Sequence, residues 1–174
     1  MEQLFKGFGF RGFWQDSDFA RAQYVDDPLT EEKVAVVEST LGLKLPAAYI
    51  YLAKRQNGGM PKRTCYPTRV ATSWAADHIA VAGIFSIGSA KPCSLLGRFG
   101  TGFWCEEWGY PELGIYFADC PSAGHDMICL DYRDCGRHGE PSVVHVDHEL
   151  DNKITCIANS FEAFVRGLEP ERVS

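Results

Sequence analysis

The sequence has no run of about 18 apolar residues, so it lacks a segment that could cross a membrane as a helix. Its first residues do not follow the basic, apolar, small-residue order of a secretion signal, because Glu2, Lys6 and Arg11 interrupt that pattern. No C-x-x-C pair occurs among the seven cysteines, whereas a small secreted scaffold usually has an even, regularly spaced set. We therefore expect a cytoplasmic protein that does not associate with membranes.

Basic residues are scarce between Glu106 and Asp151. Only Arg133 and Arg137 stand there against eleven acids, so this third of the chain carries −9 while the whole chain carries −6. Such a field repels nucleic acid and attracts a basic partner. Acids that cluster in loops for solubility would give the same count, and charge alone does not separate the two explanations.

The chain does have enough apolar sequence for a core. Of its 174 residues 45% are hydrophobic, which predicts a single domain over residues 1–174. Aromatic residues are dense in residues 1–27, and exposing so many large apolar side chains would be costly, so we expect this arm to pack on the domain. An arm that docks on a partner is the alternative. The residues concerned are Phe5, Phe8, Phe10, Phe13, Trp14, Phe19 and Tyr24.

Two short helices with a tight connection are predicted after this arm. Thr30 is a suitable N-cap for the first helix, and Gly42 is a natural stop. Pro46 fits the first position of a second helix, which Asn57 and the glycines after it would end. These signals together predict an N-terminal helical hairpin.

Short segments rich in Ile, Val, Tyr and Phe follow, separated by turn residues. They are 79–87, 114–118, 127–132, 142–147 and 153–158. No helical pattern lies between them, which favours an antiparallel over a mixed sheet, of about five or six strands. Residues 88–113 are expected to form a loop, and Asn159 with Glu162 has capping-box spacing for a C-terminal helix. The predicted fold class is α+β.

The stretch 118–132 holds a turn with chemically versatile side chains. It ends one apolar run, turns through Pro121 to Gly124, and enters a second run with period-two alternation. Ser122, His125 and Asp126 therefore lie where a turn meets a strand, at a rim from which side chains reach solvent or a partner. The plain alternative is a hairpin whose polar side chains only satisfy nearby backbone groups.

A metal site is one competing interpretation. The segment 145–149 contains His145, Asp147, His148 and Glu149, which are types of residue that ligate metals. On a strand, however, His145 and Asp147 share a face while His148 lies near the end, and this geometry suits joint ligation less than two histidines one helical turn apart.

Hydrolysis is the second competing interpretation. Ser122, His125 and Asp126 are the residue types of a catalytic triad, but triads are assembled from separated segments. A metal-assisted hydrolase that uses His125, Asp126, His145 and His148 is the alternative kept open. The main interpretation has no catalytic residue, no metal and no cofactor.

The order of the motifs resembles the SUKH superfamily, which includes the Smi/Knr-type fungal cell-wall regulators and many bacterial proteins. The resemblance extends from about Trp14 to Leu168. It rests on Val37-Glu38, Leu41-Gly42-Leu43-Lys44-Leu45-Pro46, Tyr49, Leu52, Asn57-Gly58-Gly59, Gly124-His125-Asp126 and Ile157-Ala158-Asn159-Ser160-Phe161-Glu162-Ala163-Phe164. Each motif is weak alone, and their order and spacing are specific together.

The resemblance implies an α+β fold without an established catalytic centre. Most bacterial members are regarded as immunity proteins that neutralise a polymorphic toxin by direct binding, and several such toxins are nucleases or nucleic-acid deaminases with basic surfaces. It therefore implies a basic toxin domain as the partner, with no direct contact to nucleic acid; a regulator of cell-wall synthesis or signalling is the alternative. Because binding surfaces vary in this family, no contact residue is carried over from it.

We predict the partner surface from this chain's own residues. Acids would set the approach and register of a basic partner, while an aromatic side chain would be the buried anchor. The predicted residues are Glu106, Glu107, Trp108, Tyr110, Asp119, Ser122, His125, Asp126 and Glu149.

Overall fold

Two consecutive helices precede the first strand, as predicted, and a shorter helix comes before them. The computed structural model describes residues 3–172, and its first helices are α1 (Asp18–Gln23), α2 (Glu31–Leu41) and α3 (Ala47–Arg55). The side chain of Thr30 caps α2 by accepting a hydrogen bond from the Lys33 amide, and Gly42 ends this helix in the left-handed conformation. Pro46 is the N-cap of α3 rather than its first residue, because its ψ of 137° is not helical.

The apolar stretch 79–87 forms two strands in different sheets, where the sequence predicts one strand. β1 (Cys65–Pro67) and β2 (His78–Ala80) form a two-stranded sheet, whereas β3 (Gly83–Ile84) belongs to a larger sheet. The backbone changes partner within two residues: the Val81 amide donates to the Thr64 carbonyl and the Ala82 amide donates to the Asp119 carbonyl. The apolar pattern does not reveal this change, since both strands contain buried residues.

The larger sheet has five strands and is antiparallel throughout. After β3 it contains β4 (Gly114–Asp119), β5 (Asp126–Asp131), β6 (Ser142–Asp147) and β7 (Lys153–Ala158), paired in chain order. All six residues of β5 are buried, so both faces of this middle strand are covered. In the register of β5 and β6, Asp126 lies opposite Asp147 and Ile128 lies opposite His145. Asp126 and His145 are therefore diagonal neighbours on one face of the sheet.

The expected loop of residues 88–113 contains a helix, α4 (Thr101–Glu106). The helix has only six residues and its N-cap, Gly100, makes no side-chain cap. Both features explain why the sequence gives little sign of it, since a helix this short depends on tertiary packing rather than on propensity. Trp104 of α4 is buried and supplies that packing.

The core lies between the sheet and two helices, α3 and the C-terminal α5 (Phe161–Gly167). Phe117 of β4 packs against both phenylalanines of α5, with ring centroids 5.4 Å from Phe161 and 5.4 Å from Phe164. Tyr49 of α3 completes this aromatic group, 4.6 Å from Phe161. Ser160 caps α5 by accepting a hydrogen bond from the Ala163 amide.

The N-terminal segment contacts the C-terminal helix. The Phe5 amide donates to the Glu162 carboxylate at 2.8 Å, and the Arg166 guanidinium donates to the Lys6 carbonyl at 2.8 Å. Phe5 and Phe13 are buried in the same core as the sheet residues. The N-terminal turn and the C-terminal helix are thus joined by hydrogen bonds as well as by apolar contacts.

These elements confirm the predicted α+β class: helices at the N-terminus, an antiparallel sheet and a C-terminal helix. Among residues 3–172 there is no helix whose length and apolar character would let it span a membrane.

Candidate functional site

The turn between β4 and β5 is built around Gly124, against which two tryptophans pack. Gly124 has a φ of +90°, and a Cβ at this position would lie 2.7 Å from the ring of Trp104 and 3.1 Å from that of Trp108. Only glycine accepts both the backbone conformation and this approach. The Tyr110 hydroxyl donates to the Gly124 carbonyl at 2.5 Å. The turn thereby holds residues 104–110 over the start of β5.

Five side chains form a group at this end of the sheet, which we call the rim cluster: Trp108, Tyr110, His125, His148 and Glu149. The Trp108 ring lies between two imidazoles, with centroids 5.8 Å from His125 and 5.8 Å from His148. Tyr110 stacks on His148 at 5.1 Å. His125 Nδ1 contacts the Glu149 carboxylate, and both side chains are half-exposed. Tyr110 is itself buried, so the surface of the rim cluster is formed by Trp108, the two imidazoles and the Glu149 carboxylate.

The structure brings four of the nine predicted partner residues together in the rim cluster, namely Trp108, Tyr110, His125 and Glu149. Glu106 and Glu107 are exposed just before Trp108, at the end of α4. Ser122 lies inside the turn, where its hydroxyl accepts a hydrogen bond from the Asp126 amide. That these residues contact a partner stays a prediction.

Asp126 is buried beneath the rim cluster and pairs with His145. Its Oδ2 lies 2.8 Å from His145 Nε2, and both side chains are almost fully inaccessible to solvent. Burial alone would raise the pKa of Asp126, but hydrogen bonds from His145 and Ser122 outweigh it and hold the pKa below its ordinary value. A carboxylate in this position does not reach a docked molecule, so Asp126 supports the turn from below.

Cys120 extends this buried pair to three side chains. One ligand atom from each of Cys120, Asp126 and His145 lies within 4.8 Å of the others, and zinc accepts all three types of ligand. Because the three side chains are buried, they fit a closed structural ion, whereas a catalytic ion needs an open position. Burial, with the nearby carboxylates Asp126 and Asp119, raises the pKa of the Cys120 thiol well above its ordinary value. The thiol is therefore protonated at neutral pH and is not an activated nucleophile.

The side chains of the alternative hydrolase do not converge. His125 pairs with Glu149, and His148 Nδ1 lies 2.9 Å from Asn152 Oδ1, so only Asp126 and His145 of the four residues meet. The segment 145–149 does not form a joint ligand set either, since the Asp147 carboxylate accepts hydrogen bonds from the amide and hydroxyl of Ser73. Ser122, His125 and Asp126 do not form a triad, as their closeness in sequence indicates: the Ser122 hydroxyl bonds the Asp126 amide instead of the imidazole of His125.

Asp119 lies apart from the rim cluster, in a cavity of about 540 Å³ that we call the Asp119 pocket. The Tyr24 hydroxyl lies 2.9 Å from both oxygens of the Asp119 carboxylate and donates to it. Burial raises the pKa of Asp119 to about 7, against the lowering effect of this hydrogen bond. Trp108 lines the pocket and also belongs to the rim cluster, so the two features share a wall.

The acidic surface is smaller than the sequence indicates. Four of the eleven acids between positions 106 and 151 are buried or partly buried: Asp119, Asp126, Asp131 and Asp147. Asp131, for example, is bound by the Arg133 guanidinium at 2.8 Å. The other seven are exposed, namely Glu106, Glu107, Glu112, Asp134, Glu140, Glu149 and Asp151. The field that a partner meets therefore comes from these seven side chains.

Sequence reasoning missed Tyr24 and Cys120 as parts of the site. Tyr24 is 95 positions away from Asp119 along the chain, and no local pattern links the two. Cys120 could have been found from the strand register, because Asp126 begins the strand that pairs with β4.

Residues 28–167 of the chain match the family model of the SMI1 / KNR4 family (SUKH-1). No curated protein sequence matches the chain significantly.

Proposed function

We propose that this protein, which belongs to the SMI1/KNR4 (SUKH-1) family, is an immunity protein. It would neutralise a cognate toxin by direct binding, and the toxin domain would be a basic one that acts on nucleic acid. The family match supports a protein-interacting module, and the exposed acids Glu107 and Glu149 near the Trp108 ring support a basic partner.

The observation that carries this proposal is the position of Trp108. Its ring is half-buried between two histidines, while Glu107 and Glu149 beside it are exposed. Interfaces commonly combine an aromatic anchor with surrounding polar groups that exclude water. Exposed acids next to the anchor would accelerate association with a basic domain and fix its register.

We further propose that the protein acts by occlusion and not by catalysis. The closed position of the Asp126–His145 pair and the protonated thiol of Cys120 support this, since neither offers a reactive group to a substrate. The exposed His125 is engaged with Glu149, and the nearby Ser122 hydroxyl bonds the Asp126 amide rather than the His125 imidazole.

The experiment is affinity capture from the native organism with tagged protein, at low and at high salt, followed by mass spectrometry. We expect a protein with a basic toxin-like domain, retained at low salt and weakened at high salt. Trp108→Ala should lose this protein, whereas Trp74→Ala, which removes a more exposed tryptophan outside the rim cluster, should retain it. Equal capture by both variants would refute the proposed surface.

A regulator of cell-wall synthesis or signalling is separated from this proposal by the gene neighbourhood. A toxin gene beside the coding sequence supports immunity. Capture of a cell-wall or signalling enzyme, without an adjacent toxin gene, would instead indicate that the protein is a regulator of cell-wall synthesis or signalling.

A further inference from the structure

The Asp119 pocket combines aromatic walls with a single charge. Its walls include Tyr24, Phe85, Phe99, Trp104 and Trp108. Asp119 is the one acidic residue among the described residues that line it. No lysine, arginine or histidine lines it in the part of the chain that the structure describes. The pocket therefore presents π faces around a carboxylate that has no cationic partner among the described ion pairs.

This composition selects its ligand by charge. An anion would be repelled by Asp119, and a neutral apolar group would leave the carboxylate buried without a counter-charge. A cation with an apolar stem satisfies both features, because aromatic faces attract cations and the stem fills the apolar walls. Lysine and arginine side chains have this form.

The mouth of the pocket fits a protein ligand. Phe19, which lines the pocket, is 60% exposed, so its ring lies where the cavity meets solvent. Trp108 continues from the pocket wall into the rim cluster. A protein that covers the rim cluster can therefore extend a side chain into the pocket without leaving the surface.

We propose that the Asp119 pocket receives a lysine or arginine side chain of the bound protein partner. This inference rests on the proposed function and refines it: the exposed acids attract a basic domain, and the pocket takes one of its cationic side chains as the buried anchor. Asp119 pairs with the cationic group, and the rings of Trp104 and Trp108 enclose its stem.

The test uses capped lysine (N-acetyl-lysine N-methylamide) and capped norleucine as probes. Their binding is monitored at pH 8 through the NMR signals of the Trp104 and Trp108 indoles. We expect capped lysine to shift both signals and capped norleucine to bind about tenfold more weakly. Asp119→Asn should abolish the difference between the probes, and Asp134→Asn, which removes an exposed acid outside the pocket, should retain it.

Several results would overturn the inference: no shift with capped lysine, equal binding of the two probes, or an unchanged preference in Asp119→Asn. If Asp119→Asn does not fold, Trp108→Ala tests the same site, since the Trp108 side chain is only partly buried and its loss should weaken capped lysine binding. Partner capture without lysine binding would overturn the pocket and leave the proposed function standing. Binding of capped lysine without capture of any partner would support the pocket and overturn the proposed function.

Discussion

The carboxylate of Asp126 and the imidazole of His145 form a hydrogen-bonded pair, 2.8 Å apart, that is sealed beneath the rim cluster. The two residues are diagonal neighbours on adjacent strands, so the pair ties the start of β5 to the end of β6. The turn that carries His125 ends directly before Asp126, whose amide donates a hydrogen bond back to the Ser122 hydroxyl within the turn.

Loss of either partner should therefore destabilise the protein strongly. We expect Asp126→Ala and His145→Ala each to lower the free energy of unfolding by about 3 kcal/mol, since each leaves a buried polar group unpaired. The double variant should lose less than the sum of the two. Urea denaturation of all three variants measures this, and strictly additive losses would contradict the coupling.

Gly124→Ala should destabilise the turn by about 1–3 kcal/mol, because φ is +90° and the added Cβ meets two tryptophan rings. Gly136→Ala is the matched control: its φ is +77°, but no atom lies within 4 Å of the added Cβ. The difference between the two variants isolates the contact with the rings. Thermal unfolding monitored by tryptophan fluorescence gives the stability of both variants. Equal losses of stability would mean that the tryptophan rings move aside without an energetic penalty.

The contribution of Asp119 to the stability of the protein should fall as pH rises from about 4 to about 7. Burial raises the pKa of Asp119 from 3.8 to about 7, so over this range the folded protein keeps a proton that the unfolded chain releases. Other titratable groups that face Asp119 are not expected to contribute in the upper part of the range: burial raises the pKa of Tyr24, Cys93 and Cys120, and the pKa of Asp126 lies below its ordinary value.

Asp119→Asn should remove this loss. Relative to the natural protein its melting temperature should gain about 3–6 °C between pH 4 and pH 8, with an allowance for the partial exposure of the side chain. Differential scanning calorimetry at several pH values checks this, with Asp134→Asn as the control. A gain that does not change with pH would show that Asp119 ionises normally.

Charge reversal beside Trp108 should slow association with a basic partner. We expect Glu106→Lys with Glu107→Lys to reduce the association rate constant about tenfold at low salt and less at high salt. Glu31→Lys with Glu32→Lys changes the net charge equally on α2 and should have a smaller effect. Stopped-flow or surface-plasmon measurements with the captured partner compare the association rate constants of the two double variants. Rate constants independent of salt would contradict electrostatic steering.

Local signals in the sequence account for much of the fold. The cap at Thr30, the stop at Gly42 and the four strands between residues 114 and 158 all lie where the pattern places them, because each depends on neighbouring residues. The division of 79–87 between two sheets does not follow from local signals. The backbone changes its pairing partner at Ala82, whose amide bonds Asp119, a residue far along the chain.

The site was less predictable for the same reason. The turn and its rim position follow from Gly124 and the alternation after it, but the depth of each acid does not. Asp126 and Glu149 have the same charge in the sequence, yet one is buried against His145 and the other is half-exposed. Which acids face a partner is decided by strand register and tertiary packing.

The hydrogen bonds that join Phe5 and Lys6 to α5 have a consequence for how the protein is made. Phe5 is translated about 160 residues before the helix on which it docks, as its separation from Glu162 along the chain shows. Until then the phenylalanines of this segment lack their final cover and are available to other apolar surfaces. Completion of the last helix should therefore be the event that closes the fold, and chains truncated before Phe161 should bind chaperones or aggregate.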